Sequence, residues 1–91
     1  MNIEFDPVKD LDNQQKHQIS LEEAKRFNWD IYVGWLDNRK EYGEYRHIAV
    51  GVLDGDLYYV VYTMRGEDVH RVISLRKAEK EERDRYVKEF R

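Results

Sequence analysis

Four arginines, Arg46, Arg65, Arg71 and Arg76, fall in or beside stretches that read as β-strand. Arginine is not a favoured strand residue. A guanidinium keeps its charge and grips phosphate oxygens through paired N–H groups. The same side chains can instead lie along strand ends and pair with some of the 19 acidic residues. The residue types alone leave that choice open. Lys16-His17 closes a predicted helix. A lysine beside a histidine can hold a phosphate and move a proton near neutral pH, or simply favour the helix C-terminus by charge. Tyr58, Tyr59 and Tyr62 share one strand, where they either stack nucleobases or fill a core. Glu22-Glu23 and Glu81-Glu82 lie in charged helices and read as solvated faces.

Other chemistries find little support. His17, His47 and His70 show no i,i+3 or i,i+4 spacing and no HExxH pattern, so no metal site is expected. There is no cysteine, which excludes disulfides and thiolate-ligated metals. Ser20 and Ser74 lack a glycine elbow, and no GxGxxG or P-loop is present. No cofactor is expected.

The 91 residues suffice for a single domain, 1–91, with one core and one site. Charged residues make up 38% and aromatic residues 13%. So much aromatic and β-branched content opposes disorder. No apolar run is long enough for a membrane span, and the N-terminus has no secretory pattern, so a cytoplasmic domain without membrane contact is expected. The net charge is −3, with pI near 5.6. Residues 1–45 hold 6 basic and 10 acidic residues, and residues 46–91 hold 10 and 9. Nucleic-acid binders are usually basic, so any such role depends on local patches.

The elements that must position these residues follow from local pattern. Asn2 to Phe5 alternates as a short strand. Asp6-Pro7 reads as a cap and first helical residue, with helix to about His17. Ser20 to Glu23 is a capping box for a second short helix ending near Phe27. Strand patterns follow at 31–36, 45–53, 57–64 and 69–75, with Asp54-Gly55 as a hairpin turn. A helix from Lys77 buries Ala78, Tyr86, Val87 and Phe90. The expected fold is α+β: an antiparallel sheet of about four strands, two short N-terminal helices and one C-terminal helix.

A two-residue turn at Asp54-Gly55 sets Val52 opposite Leu57 and Arg46 opposite Thr63. A four-residue turn at Arg65–Asp68 sets Thr63 opposite His70. Alternation then places Arg46, Thr63 and His70 in one row, with Arg76 on the same face and with His47 and Arg71 on the other. A one-residue slip would replace that row. Arg46 and Arg76 are about six strand residues apart, roughly 20 Å, so one compact site does not easily hold both: either the groove is long, or Arg76 serves the fold or a partner instead.

The sequence resembles the BrnT family, the toxin half of BrnT/BrnA type II toxin–antitoxin pairs. Three blocks in order carry the resemblance. The first is Phe5-Asp6-Pro7-x-Lys9, then Asn13-x-x-Lys16-His17-x-Ile19-Ser20-x-Glu22-Glu23-Ala24. The second is Asp37-x-Arg39-x-x-x-Gly43-Glu44-x-Arg46, with Gly51 five residues on. The third is Thr63-x-Arg65, Arg71-Val72-Ile73-Ser74-x-Arg76-x-Ala78 and Glu82-Arg83-x-x-Tyr86. Position 18 departs from the pattern, with Gln where the family commonly has Gly.

The resemblance implies a RelE-like fold and a metal-independent ribonuclease acting by attack of the RNA 2′-hydroxyl on the adjacent phosphate. It implies a BrnA-like antitoxin as partner, in a homodimer or a toxin–antitoxin heterotetramer. Carried over by position, Arg46, Arg65 and Arg76 contact phosphate, His17 is the general acid or base, and Glu44 is a second candidate base. Lys9, Lys16, Arg71, Arg83 and Tyr86 then border the RNA. The acidic balance and Gln18 motivate an alternative: a catalytically inactive module that binds an antitoxin or nucleic acid without cleavage.

Overall fold

Helix formation at the N-terminus follows the capping chemistry. The computed structural model describes residues 1–90. The Asp6 carboxylate accepts from the Val8 N–H at 2.8 Å and Pro7 opens helix α1, Pro7–His17. A proline there removes only an N–H that has no partner inside the helix. Helix α1 ends at Gln18, whose backbone is left-handed (φ 57°) while its N–H still bonds the Gln14 carbonyl. Such a position favours glycine, which has no Cβ to clash. Ser20 accepts from the Glu22 N–H, as a cap should, but the segment Leu21–Arg26 is a short 3-10 helix, not an α-helix.

The sheet has five strands: β1 (Asn2–Glu4), β2 (Tyr32–Leu36), β3 (His47–Leu53), β4 (Asp56–Arg65) and β5 (Val69–Lys77). Their order is β1-β5-β4-β3-β2. The expected four-stranded antiparallel sheet is therefore corrected to a mixed one. The short N-terminal strand pairs parallel with β5, Asn2 opposite Val69. Its placement is fixed by tertiary contacts: the Asn2 N–H bonds the Asp68 carbonyl, and the chain amino group pairs with the Asp68 carboxylate at 3.0 Å.

The β3–β4 register is as expected, with Val52 opposite Leu57. The β4–β5 register is not. Gly66, at φ +72°, lets residues 66–68 close the turn, so Arg65 stays in the ladder opposite Val69. Thr63 therefore faces Arg71, not His70. A bulge at Ile73 then shifts the pairing again, and Val61 faces Ser74. Two one-residue shifts restore the expected facing beyond the bulge but reverse it from Val69 to Val72.

That reversal moves His70 to the face of His47, which the expected register had set on opposite sides. Both imidazoles stack on Tyr62, at 5.2 and 5.0 Å between ring centroids.

Two cores result, one on each side of the sheet. Leu21, Ala24 and Phe27 pack with Ala49, Leu53, Val60, Tyr62, Val72 and Leu75. On the other side Ile48, Val50, Tyr59, Val61 and Ala78 pack with Trp35, Ile73 and Tyr86. Each fully buried Leu or Val contributes about 1.5–3 kcal/mol. Helix α2, Lys80–Phe90, starts later than expected because β5 runs on to Lys77. Of its expected seam, Ala78 precedes the helix and is buried, Tyr86 is partly buried, and Val87 and Phe90 stay exposed.

Helix α1 is pinned through one buried side chain. The Asn13 amide donates to the carbonyls of Ile19 and Leu75, both at 2.9 Å, and its oxygen accepts from the Leu75 N–H at 3.1 Å. Strand β1 covers only Val69–Arg71 of β5, and farther along Asn13 satisfies the uncovered backbone. No helix among the described residues is long and apolar enough to cross a membrane.

Candidate anion-binding site

The register shift at Thr63 and Arg71 creates a cavity of about 210 Å³ lined by Asp6, Lys9, Glu44, Arg46, Thr63, Arg65, Arg71, Val72 and Ile73. Four cations from separate parts of the chain line it. Lys9 comes from the first turn of α1, Arg46 from just before β3, Arg65 from the end of β4 and Arg71 from β5. Antiparallel pairing brings the start of β3, the end of β4 and the start of β5 to one end of the sheet.

The cavity carries carboxylates as well as cations. One Glu44 oxygen lies 3.7 Å from Arg46 Nε, and the other lies 4.0 Å from Arg65 Nη2. Arg71 donates to Glu4 at 2.8 Å. The Arg46 guanidinium carbon sits 4.0 Å from the centre of the Tyr42 ring, which fixes its plane. Two polar atoms in this cluster are buried and lack hydrogen-bond partners: Arg46 Nε and Thr63 Oγ1. Thr63 is only 3% exposed. An unmet buried hydroxyl costs about 1–3 kcal/mol, so the site holds donors awaiting an acceptor. Fixed guanidiniums around such donors suit a phosphate.

The other candidates lie elsewhere. His17 ends α1, eight residues and about 12 Å of helix rise beyond Lys9, and does not line the cavity. Lys16 pairs with Asp12 at 3.0 Å on the exposed side of that helix. Arg76 faces Tyr59, four residues along β4 from Thr63, about 13 Å away. It binds Glu82 through two N–H groups at 2.8 and 2.9 Å and lies over the Tyr59 ring at 3.8 Å. Burial acts to raise the Glu82 carboxyl pKa, but the hydrogen bonds from Arg76 and from the Glu79 N–H outweigh it and hold the group below its ordinary value. Arg83 donates to the Ala78 carbonyl at 2.9 Å, and Tyr86 packs into the second core. The structure thus gathers Lys9, Glu44, Arg46, Arg65 and Arg71, and leaves His17, Lys16, Arg76, Arg83 and Tyr86 outside. Thr63 joins the site without having been singled out as a functional residue. Its signal was its position two residues before Arg65, on the same side of one strand. Among the described residues, no group of three or more His, Asp or Glu side chains is placed to hold a metal ion.

A small α+β domain with an arginine-lined cavity at one end of its sheet is the class of protein these features define. The sequence model for the ribonuclease toxin BrnT of type II toxin–antitoxin systems matches residues 5–82, and the chain belongs to that family. The fold is similar to the crystal structure of the Brucella abortus ribonuclease toxin BrnT, with a TM-score of 0.67 and 23% identity, covering 88% of this chain and 99% of that one. No curated protein matches the sequence.

Proposed function

We propose that this chain is an endoribonuclease that cleaves RNA by attack of a 2′-hydroxyl on the adjacent phosphate, with the scissile phosphate seated in the Lys9, Arg46, Arg65 and Arg71 cavity. The observation that carries this reading is the pair of buried, unpartnered donors, Arg46 Nε and Thr63 Oγ1, inside a ring of cations. Charge that builds on the phosphoryl oxygens is stabilised by guanidiniums already fixed in place, without a metal. Glu44, the carboxylate set between Arg46 and Arg65, takes the 2′ proton. The Lys9 ammonium stands ready to protonate the leaving 5′ oxygen. Metal independence, the RelE-like relationship and neutralisation by a BrnA-like antitoxin are parts of the same proposal; the antitoxin partner is supported by membership of a type II toxin–antitoxin family.

The test is incubation with total RNA in EDTA, beside Arg65→Ala and His17→Ala variants. Wild-type cleavage is expected to persist in EDTA and to fall about 100-fold or more in Arg65→Ala. His17→Ala is expected to stay within a few-fold, given its distance from the cavity. Equal cleavage by wild type and Arg65→Ala would remove the proposed site. Salt-dependent RNA binding without product would favour the non-cleaving interaction module instead.

A further inference from the structure

The connection between β2 and β3 folds over a second, larger cavity of about 480 Å³, which shares Glu44 and Arg46 with the anion-binding site. This volume lies in the range of about 300–1,000 Å³ that takes small organic ligands, whereas the neighbouring cavity suits a phosphate group. The loop that forms it is braced from within. The Asp37 side chain is buried and accepts from Arg39 Nε at 2.8 Å, Arg39 Nη2 at 2.7 Å and the Tyr42 hydroxyl at 3.0 Å. The Arg39 hydrogen bonds hold that carboxyl well below the usual carboxylate range, so the brace stays charged. Tyr42 in turn supports Arg46, which leaves Tyr45 as the free aromatic face. Tyr45 lines the cavity, is 78% exposed, and sits between Glu44 and Arg46 in sequence.

We propose that this cavity binds the nucleobase of the nucleotide next to the scissile phosphate, with Tyr45 as its stacking face and with Lys40 and Glu41 reading its edge. The inference rests on the phosphate site proposed above and names its substrate preference. One nucleotide spans the two cavities, phosphate on Arg46 and base on Tyr45. Glu41 and Lys40 both line the larger one. Glu41 accepts the Gly43 N–H at 3.1 Å and retains further acceptor capacity, since a carboxylate offers about four lone-pair sites. Guanine presents adjacent N–H donors at N1 and N2 beside the O6 acceptor, which matches one carboxylate and one ammonium. Uracil presents one N–H between two carbonyls and matches less well.

The experiment compares inorganic phosphate, guanosine 3′-monophosphate and uridine 3′-monophosphate by NMR titration of wild type, Tyr45→Ala and Tyr45→Phe. Wild type is expected to bind the guanosine nucleotide at least ten-fold more tightly than phosphate and several-fold more tightly than the uridine nucleotide. Tyr45→Ala is expected to lose about ten-fold on the guanosine nucleotide with phosphate affinity unchanged, and Tyr45→Phe to retain it. Nucleotides binding no better than phosphate, or Tyr45→Ala weakening both alike, would overturn the base pocket while leaving the phosphate site standing. Equal affinity for guanosine and uridine would overturn the reading by Lys40 and Glu41. Failure of phosphate to bind, with a nucleotide still sensitive to Tyr45, would sink the phosphate site and uphold the base pocket. Failure of every probe would overturn both.

Discussion

Thr63 and Arg71 stand directly opposite each other on β4 and β5, and this pairing sets Arg71 in the same cavity as Arg46 and Arg65. If Arg71 shares the phosphate charge, Arg71→Ala lowers RNA cleavage about 10- to 100-fold. Among the described residues, the only folded-state polar partner it forfeits is the exposed pair with Glu4, worth at most about 1 kcal/mol. Cleavage assays paired with urea unfolding separate the two effects. Activity within two-fold of wild type would take Arg71 out of the site.

Arg76 is expected to behave oppositely. Its pair with Glu82 is half-buried, with side chains 22% and 16% exposed. Removing one partner leaves the other short of its hydrogen bonds, so Arg76→Ala costs about 2 kcal/mol of stability. RNA cleavage by the folded variant stays within about three-fold. Because the folded Glu82 pKa lies below its ordinary 4.5, this contribution is present above that pH and is lost as pH falls through the folded value. Lost activity at unchanged stability would return Arg76 to the chemistry.

Asn13 makes three hydrogen bonds to backbone groups beneath α1. Asn13→Ala strands the Leu75 N–H and carbonyl and the Ile19 carbonyl beneath α1, and is expected to cost about 3 kcal/mol. Gln14→Ala, next in sequence but exposed, is expected to change stability by less than about 0.5 kcal/mol. Chemical denaturation of the two variants checks the contrast, and equal effects would contradict the clamp.

His70 gives the fold a pH dependence. Burial lowers its pKa below the ordinary 6.5 and the proximity of His47 and the chain amino group adds to this, while Asp68 opposes it. The unfolded chain therefore binds more protons here than the native one, and stability rises with pH across the window just below 6.5. Unfolding in urea is expected to need more denaturant at pH 7.5 than at pH 5.5. His70→Phe, which keeps an aromatic ring against Tyr62 and Trp29, is expected to flatten that difference. An unchanged pH slope in the variant would assign the effect to other groups.

Much of the architecture was legible locally. Asp6-Pro7, Ser20 and Asp54-Gly55 act through hydrogen bonds and backbone preferences within a few residues, so their turns and caps can be read from the chain. The β3–β4 register followed from one such turn. The site was less legible, because it depends on Gly66 closing a three-residue turn, and the bulge at Ile73 then shifts the strand again beyond it. Each shifts a strand by one residue, and a period of two turns a single shift into a change of face.

The sequence by itself determined the α+β class, the order of helices and strands, the α1 cap and the family of the chain, since each resides in local pattern or in residues at fixed spacing. Only the tertiary structure decided that Arg71 enters the cavity while His17 and Arg76 lie apart from it. It also decided that β1 joins β5 in parallel and that Thr63 is buried with its hydroxyl unmet. These outcomes turn on which strand edges meet and in what register, a competition among long-range pairings that local propensity does not encode.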